Sequence, residues 1–256
     1  MFTRAIVRPP GSNFARGLTT ARLGAPDLRK ALMQHEEYCR ALERCGLVIL
    51  RLGEDERYPD STFVEDTAVL LRGKAVLTNP GAPERKGEVE SIGRILGRYF
   101  SSTVRILAPG TLDAGDVCEA GERVFIGISK RTNFAGAAQF AAVVRQTGSF
   151  PVEIDIRDLP GILHLKSALS YLGERRLAII QRLSGDDAFR DFEIYPVVNS
   201  EEYAANSVLI GDNLLIPKGF PVFEKSLRTK GLKVVPLEMS EFRKMDGGLS
   251  CLSLRF

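Results

Sequence analysis

The chemistry open to this chain is bounded by two histidines, four cysteines and a few clustered carboxylates. His35 falls in register with Leu28, Leu32, Cys39 and Leu42, the spacing of a helix face. By elimination, His164 in Ile162-Leu163-His164-Leu165-Lys166-Ser167 is the candidate for acid–base work, although the same segment also suits a satisfied core histidine. Cys39 and Cys45 belong to that helix and Cys118 to a strand, so packing accounts for all three. Cys251 follows Asp246-Gly247-Gly248, where the backbone can approach closely. It also alternates with apolar residues, as a small buried hydrophobe would. The carboxylates come as Glu65-Asp66 and as Asp113-Ala114-Gly115-Asp116. A thiol, an imidazole and an orienting carboxylate are the parts of covalent nucleophilic catalysis. Neither paired C-x-x-C spacing nor a histidine-rich run is present, so no metal site is expected. Arg85 and Arg131 precede or open helical segments, where a cation is mildly unfavourable. An anionic ligand shared with the helix end would remove that conflict; solvated surface arginines are the plainer reading.

Groups so far apart in sequence need elements that make them converge. Phe63–Leu71 and Lys74–Thr78 read as a hairpin around Arg72-Gly73, followed by a helix over 85–100 and a strand over 103–107. The order repeats with Leu112–Ala120, Arg123–Ile128, a helix over 133–146 capped by Asn133, and a strand over 152–156. Further units start near 163, the third with only a weak helix around Ala188, and near 204. A last strand run from Leu249 lacks a helix, and the N-terminus offers the missing parts: strand Thr3–Arg8, helix Leu28–Cys45 and strand Leu47–Leu52. Unit starts lie roughly 40–50 residues apart, a repeat-like period. Joining the last unit to the first closes a ring and hides strand edges; an open α/β sheet of the same elements is the alternative. In a ring, the opening residues Glu65-Asp66, Asp113, His164, Asn206 and Cys251 converge on one axis. Adjacent residues on a strand point to opposite faces, so only one of Glu65 and Asp66 is expected to face a ligand unless the strand bends.

The strings PDSTFVED (59–66), TLDAGD (111–116), SKRTN (129–133), HLKS (164–167), AAN (204–206) and MDGGLSC (245–251) resemble those of the dimethylarginine dimethylaminohydrolases, in family order. The resemblance runs from about Gly17 to the C-terminus. It implies an α/β fold of the pentein type, a five-bladed α/β propeller of pseudo-repeated ββαβ units, with residues 1–256 as one catalytic domain. It implies hydrolysis of asymmetric dimethylarginine and monomethylarginine to citrulline, with Cys251 as nucleophile, His164 as general acid/base and Asp113 orienting His164. Glu65 and Asp66 would then serve the guanidinium, while Asp60, Arg85, Arg131 and the backbones of Leu18 and Met245 hold the amino-acid end. Some bacterial relatives carry Glu where Asp113 stands, which changes the reach to His164 by one methylene. Arginine deiminases and amidinotransferases of the same fold would use a similar set, and a catalytically silent pentein would serve as a binding surface.

The composition fits that picture. The chain has 256 residues, 44% hydrophobic and 26% charged, with a net charge of +3. So small an excess of positive charge gives little support to a nucleic-acid partner. No run approaches a membrane span, and arginines and prolines occupy the place of a signal-peptide apolar region. A cytoplasmic enzyme acting on a small molecule, without cofactor or metal and with homodimerisation left open, is the expectation. The Gly11–Thr20 segment is a candidate flap.

Overall fold

Every repeat opens with a tight turn in place of the first half of its expected strand. The computed structural model describes residues 2–256, and its strands form five separate three-stranded sheets. In chain order the elements are β1 (Arg4–Val7), α1 (Leu28–Arg44), β2 (Val48–Arg51), β3 (Ala68–Leu71), β4 (Lys74–Leu77), α2 (Glu88–Leu96) and β5 (Ser102–Arg105). There follow β6 (Val117–Ala120), β7 (Arg123–Ile128), α3 (Phe134–Gln146), β8 (Phe150–Asp155), β9 (Leu169–Tyr171), β10 (Arg176–Ile180) and β11 (Glu193–Val197). The chain ends with β12 (Val208–Ile210), β13 (Asn213–Pro217), α4 (Pro221–Thr229), β14 (Lys233–Leu237), α5 (Ser240–Arg243) and β15 (Leu254–Arg255).

One pairing rule runs through all five sheets. The first strand of a unit pairs antiparallel with the second, and the second pairs parallel with the third, as in Ala68↔Leu77 and Lys74↔Ser102. A two-residue loop with positive φ at both Arg72 (45°) and Gly73 (80°) closes the β3–β4 hairpin, the geometry that matches strand twist. A parallel neighbour requires a crossover, and the helix supplies it: α2 buries Val89, Ile92 and Leu96 at spacings of three and four. Asn133 caps α3 by accepting from the Gly136 amide. The third unit replaces its helix with a single 3-10 turn, Asp187–Phe189, whose Phe189 packs on Phe125 of the preceding unit.

The chain ends complete the fifth sheet. β15 pairs with β1 at Ala5↔Arg255, and β1 pairs with β2. The protein is therefore a closed α/β ring of five ββαβ-like units, not an open sheet. The expected strand openings are 3-10 turns: Val64–Thr67, Ala114–Asp116, Leu165–Ser167, Asn199–Ala205 and Ser250–Leu252. These turns gather around the ring axis at one end of the inner strands. No helix among the described residues is long and apolar enough to cross a membrane.

Candidate active site

The turns enclose a cavity of about 20 Å³, lined by Leu18, Asp60, Asp66, Arg85, Arg131, His164, Met245 and Cys251 together with Phe63, Leu163, Asp246 and Gly247. A space of that size holds about one water. Cys251 sits on the Ser250–Leu252 turn, where its Sγ accepts from the Gly248 amide at 3.4 Å. Burial, reinforced by the carboxylates of Glu65 and Asp66, pushes its thiol up to about 12. Both effects favour the neutral thiol over the thiolate.

His164 precedes the Leu165–Ser167 turn and is fixed by carboxylates on two sides. Its Nε2 lies 3.1 Å from Asp113 Oδ2, and its Nδ1 lies 4.0 Å from Asp66 Oδ1. Burial opposes the imidazolium, but Asp66, Asp116 and Asp113 outweigh it and raise His164 to about 9. Asp113 is itself held: Oδ1 accepts from the Gly81 amide at 2.8 Å, and its own amide donates to Thr132 Oγ1. Asp113 thus lies behind the histidine and off the cavity wall. Gly115 makes room for this arrangement, since a Cβ there would stand 2.8 Å from both His164 Nδ1 and Asp66 Oδ1.

Asp116 ties two loops of the site together. It accepts from Ser129 Oγ and Thr132 Oγ1 beside Arg131, and from the Leu165 amide next to His164. Burial lifts its carboxyl to about 6.

The two arginines differ. Arg85 donates to Asp66 Oδ2 at 2.5 Å, to both oxygens of Glu88, and to the backbone carbonyls of Asp60 and Phe63. Glu88 opens α2, so an acidic side chain, not a ligand, relieves the cation at that helix start. Arg131 keeps its buried Nη1 without a partner among the described residues. That orphaned donor points to an anionic ligand group. Burial raises Asp60, whose Oδ2 accepts from the Leu18 amide at 3.0 Å.

Glu65 is not brought to this cavity. Its Oε1 accepts from Lys166 Nζ at 2.8 Å and Arg255 Nη2 at 3.0 Å, and its Oε2 from Ser250 Oγ at 2.7 Å. It lines a separate cavity farther along the axis. The 64–67 turn turns Asp66 one way and Glu65 the other. Sequence reasoning missed Glu88, whose signal was the Arg85-x-x-Glu88 spacing, and the Lys166–Glu65–Arg255 knot, whose members lie up to 190 positions apart. Residues 18–20 cover the site: Thr19 Oγ1 donates to the Lys244 carbonyl, and Thr20 donates to Asp246 through both its amide and its hydroxyl. Asp66, Asp113 and His164 present ligand atoms within 4.8 Å of one another. Arg85 and two backbone amides already engage those carboxylates, so the trio is better described as an ion-paired histidine than as a metal seat.

No family model matches the chain. Full-length relatives do. The sequence is 40% identical to an N(G),N(G)-dimethylarginine dimethylaminohydrolase of Pseudomonas aeruginosa over 257 residues, covering 100% of both chains. It is 33% identical to the enzyme of that name from Streptomyces coelicolor, over 98% of this chain and 96% of that one. A crystal structure of a mutant of the P. aeruginosa protein complexed with citrulline superimposes with a TM-score of 0.96, at 39% identity over 100% of both chains. The N-terminal domain of ArgZ shares the fold at 18% identity, with a TM-score of 0.88 over 100% of this chain and 97% of that one. With sequence identity and ring architecture agreeing from end to end, the chain belongs to the dimethylarginine dimethylaminohydrolase family.

Proposed function

We propose that the protein hydrolyses Nω-methylated arginines to citrulline and methylamine or dimethylamine, with Cys251 as nucleophile and His164 as general acid and then base. The observation that carries this is His164 and Cys251 facing one cavity beside Asp66 and Arg131, whose buried Nη1 has no partner among the described residues. Guanidinium is a cation that offers only N–H donors, and the Asp66 carboxylate is its complement. The carboxylate of the amino-acid end meets Arg131, and its ammonium meets Asp60. The Leu18 and Met245 backbones border that end, and Arg85 acts by fixing Asp66. Residues 18–20 must lift to admit a substrate.

Charge also explains activation. A cation about 4 Å from the sulfur contributes about 4 kcal/mol at an effective dielectric near 20. That corresponds to about three pKa units, enough to bring a thiol from about 12 toward 9. The thiol proton leaves to solvent as substrate binds, and the thiolate attacks the guanidinium carbon. His164 donates through Nδ1, since Nε2 is held by Asp113, and the amine departs. The amidino carbon is then bonded to sulfur as an S-alkylthiouronium. Neutral His164 takes a proton from water, the hydroxide adds to that carbon, and collapse breaks the C–S bond while the added oxygen passes its remaining proton to the departing sulfur, giving citrulline and the neutral thiol. Glu65 sits behind this chemistry, its charge acting on Cys251 while its hydrogen bond holds Ser250.

The test is to incubate the protein with asymmetric dimethylarginine, monomethylarginine and arginine, following citrulline and released amine, with Cys251→Ser as control. Citrulline with dimethylamine from the unaltered protein alone supports the reading. Ammonia from arginine as the main product makes the protein a deiminase.

A further inference from the structure

Four of the five units place side chains on the wall of the catalytic cavity, and the fourth places none. That unit nonetheless opens with the AAN string, whose Asn206 is among the residues expected to converge on the axis. Asn206 is only 6% exposed and directly follows the Asn199–Ala205 turn. Its Nδ2 donates to the Lys166 carbonyl and to Ser250 Oγ, each at 3.0 Å. Its Oδ1 accepts from the Ser250 amide at 2.9 Å. Lys166 lies two residues after His164, and Ser250 directly precedes Cys251. Gly248, whose amide donates to Cys251 Sγ, also packs on Asn206: a Cβ there would stand 2.5 Å from Asn206 Cγ. Tyr203, on the same turn, donates to the Gly247 carbonyl at 2.7 Å.

We infer that Asn206 is a positioning residue for the reaction: its carboxamide clamps the turn that carries Cys251 to the turn that carries His164. The inference rests on the catalytic reading above, in which the sulfur attacks and the imidazole protonates around a single carbon. Among the described residues no hydrogen bond joins the His164 and Cys251 side chains, so their relative placement falls to the backbones that carry them. Asn206 is bonded to the main chain on both sides, at the Lys166 carbonyl and the Ser250 amide. Glu65 also links the two turns, through Lys166 Nζ and Ser250 Oγ. That link runs through the flexible four-carbon stem of a lysine, whereas the carboxamide is short and buried. Its orientation is fully determined: Nδ2 meets two acceptors and Oδ1 meets a donor, while the Ser250 hydroxyl gives its own proton to Glu65 Oε2. An apolar side chain of the same outline would fill the space and leave the Ser250 amide and Lys166 carbonyl unpaired. Misplacement of reacting groups by about 1 Å can cost about a hundredfold in rate, and a clamp between their two backbones guards against it.

The test separates kcat from binding in Asn206→Ala, Asn206→Asp and Leu214→Ala. The substrate is whichever of asymmetric dimethylarginine, monomethylarginine and arginine the unaltered protein turns over fastest. Asn206→Ala is expected to lower kcat by about tenfold to a hundredfold. Citrulline, titrated calorimetrically, should bind it with unchanged affinity, because Asp60, Asp66 and Arg131 stand on other units. Asn206→Asp keeps an acceptor for the Ser250 amide but turns an oxygen toward the Lys166 carbonyl, and should lower kcat by about tenfold. Leu214→Ala truncates a fully buried core residue of β13 in the same unit. It should lower the thermal midpoint and leave kcat unaltered, as a merely structural role for Asn206 would. Melts by circular dichroism check folding, and Asn206→Asp carries the test if Asn206→Ala does not fold. Unaltered kcat in a folded Asn206 variant, loss of citrulline affinity in place of kcat, or an equal fall of kcat in Leu214→Ala would each overturn the inference. Turnover of none of the three guanidines by the unaltered protein removes the catalytic reading and this inference with it; turnover that is indifferent to Asn206 removes the inference alone.

Discussion

An imidazole that stays charged beside a thiol that stays neutral reverses the usual preformed thiolate pair, in which a nearby cation lowers the cysteine. Here the carboxylates around His164 absorb its charge, while Glu65 and Asp66 act against ionisation of the sulfur. On the proposed mechanism, substrate charge completes the nucleophile. Alkylation of Cys251 by iodoacetamide is expected to show an apparent pKa near 12 in the empty protein, falling by about two or three units with a bound unreactive guanidinium. An unchanged value would remove substrate-assisted ionisation from the mechanism. His164 makes a second prediction. Its folded pKa, about 9, lies above the ordinary 6.5, so its ion pairs stabilise the fold fully below pH 6.5 and lose that contribution as pH rises through 9. His164→Gln should be less stable than the unaltered protein in urea at pH 6, with the gap closing by about pH 9. The alkaline limb of kcat should fall over the same region, as the general acid deprotonates.

At the scale of elements, the 3-10 turns at the start of each inner strand set the site, because each swings its polar residues toward the axis. The turn over 114–116 brings Gly115 against His164, with no space for a side chain. Gly115→Ala should displace the imidazole and lower kcat by about tenfold to a hundredfold, with a loss of about 1–3 kcal/mol in urea unfolding from the overpacked site. The start of α2 is a different case. Glu88 takes three hydrogen bonds from a buried arginine that also holds Asp66. Glu88→Gln should destabilise the fold by about 3–5 kcal/mol, the cost of breaking a buried pair, as read from urea unfolding. A destabilisation below about 1 kcal/mol, the range of exposed pairs, would show that Asp66 alone sustains Arg85.

At the scale of the molecule, closure depends on the chain ends. β15 completes the sheet begun by β1, and the Phe256 carbonyl accepts from the Thr3 and Arg4 amides. Arg255, on that last strand, reaches the axis to share Glu65 with Lys166. The final residues therefore both seal the ring and balance the charge between its two cavities. Arg255→Met should lower stability, by urea unfolding, and raise the Cys251 alkylation pKa further, because Glu65 then acts on the sulfur with one counter-charge fewer. An unaltered alkylation profile in a destabilised variant would confine Arg255 to ring closure.

The order of units, their period and the elimination that singled out His164 were legible in the sequence, because hydrophobic spacing and residue counts are local properties. So was the helix read over Leu28–Cys45, which the structure ends at Arg44 with Cys45 as its cap and His35 on the buried face. Local pattern could not say that Val64–Thr67 is a turn, since β-branched and apolar residues there suit a strand equally well. Glu65 therefore parted from Asp66 for reasons held in distant units: Lys166 and Arg255 draw one carboxylate, Arg85 and the Gly115 amide the other. The same holds for the arginines, one satisfied by Glu88 and one with a buried donor that has no partner among the described residues. Sequence determined which groups the chain carries to its axis. Only the packed ring decided which end of the axis each one faces, because that choice depends on charges contributed by neighbouring blades.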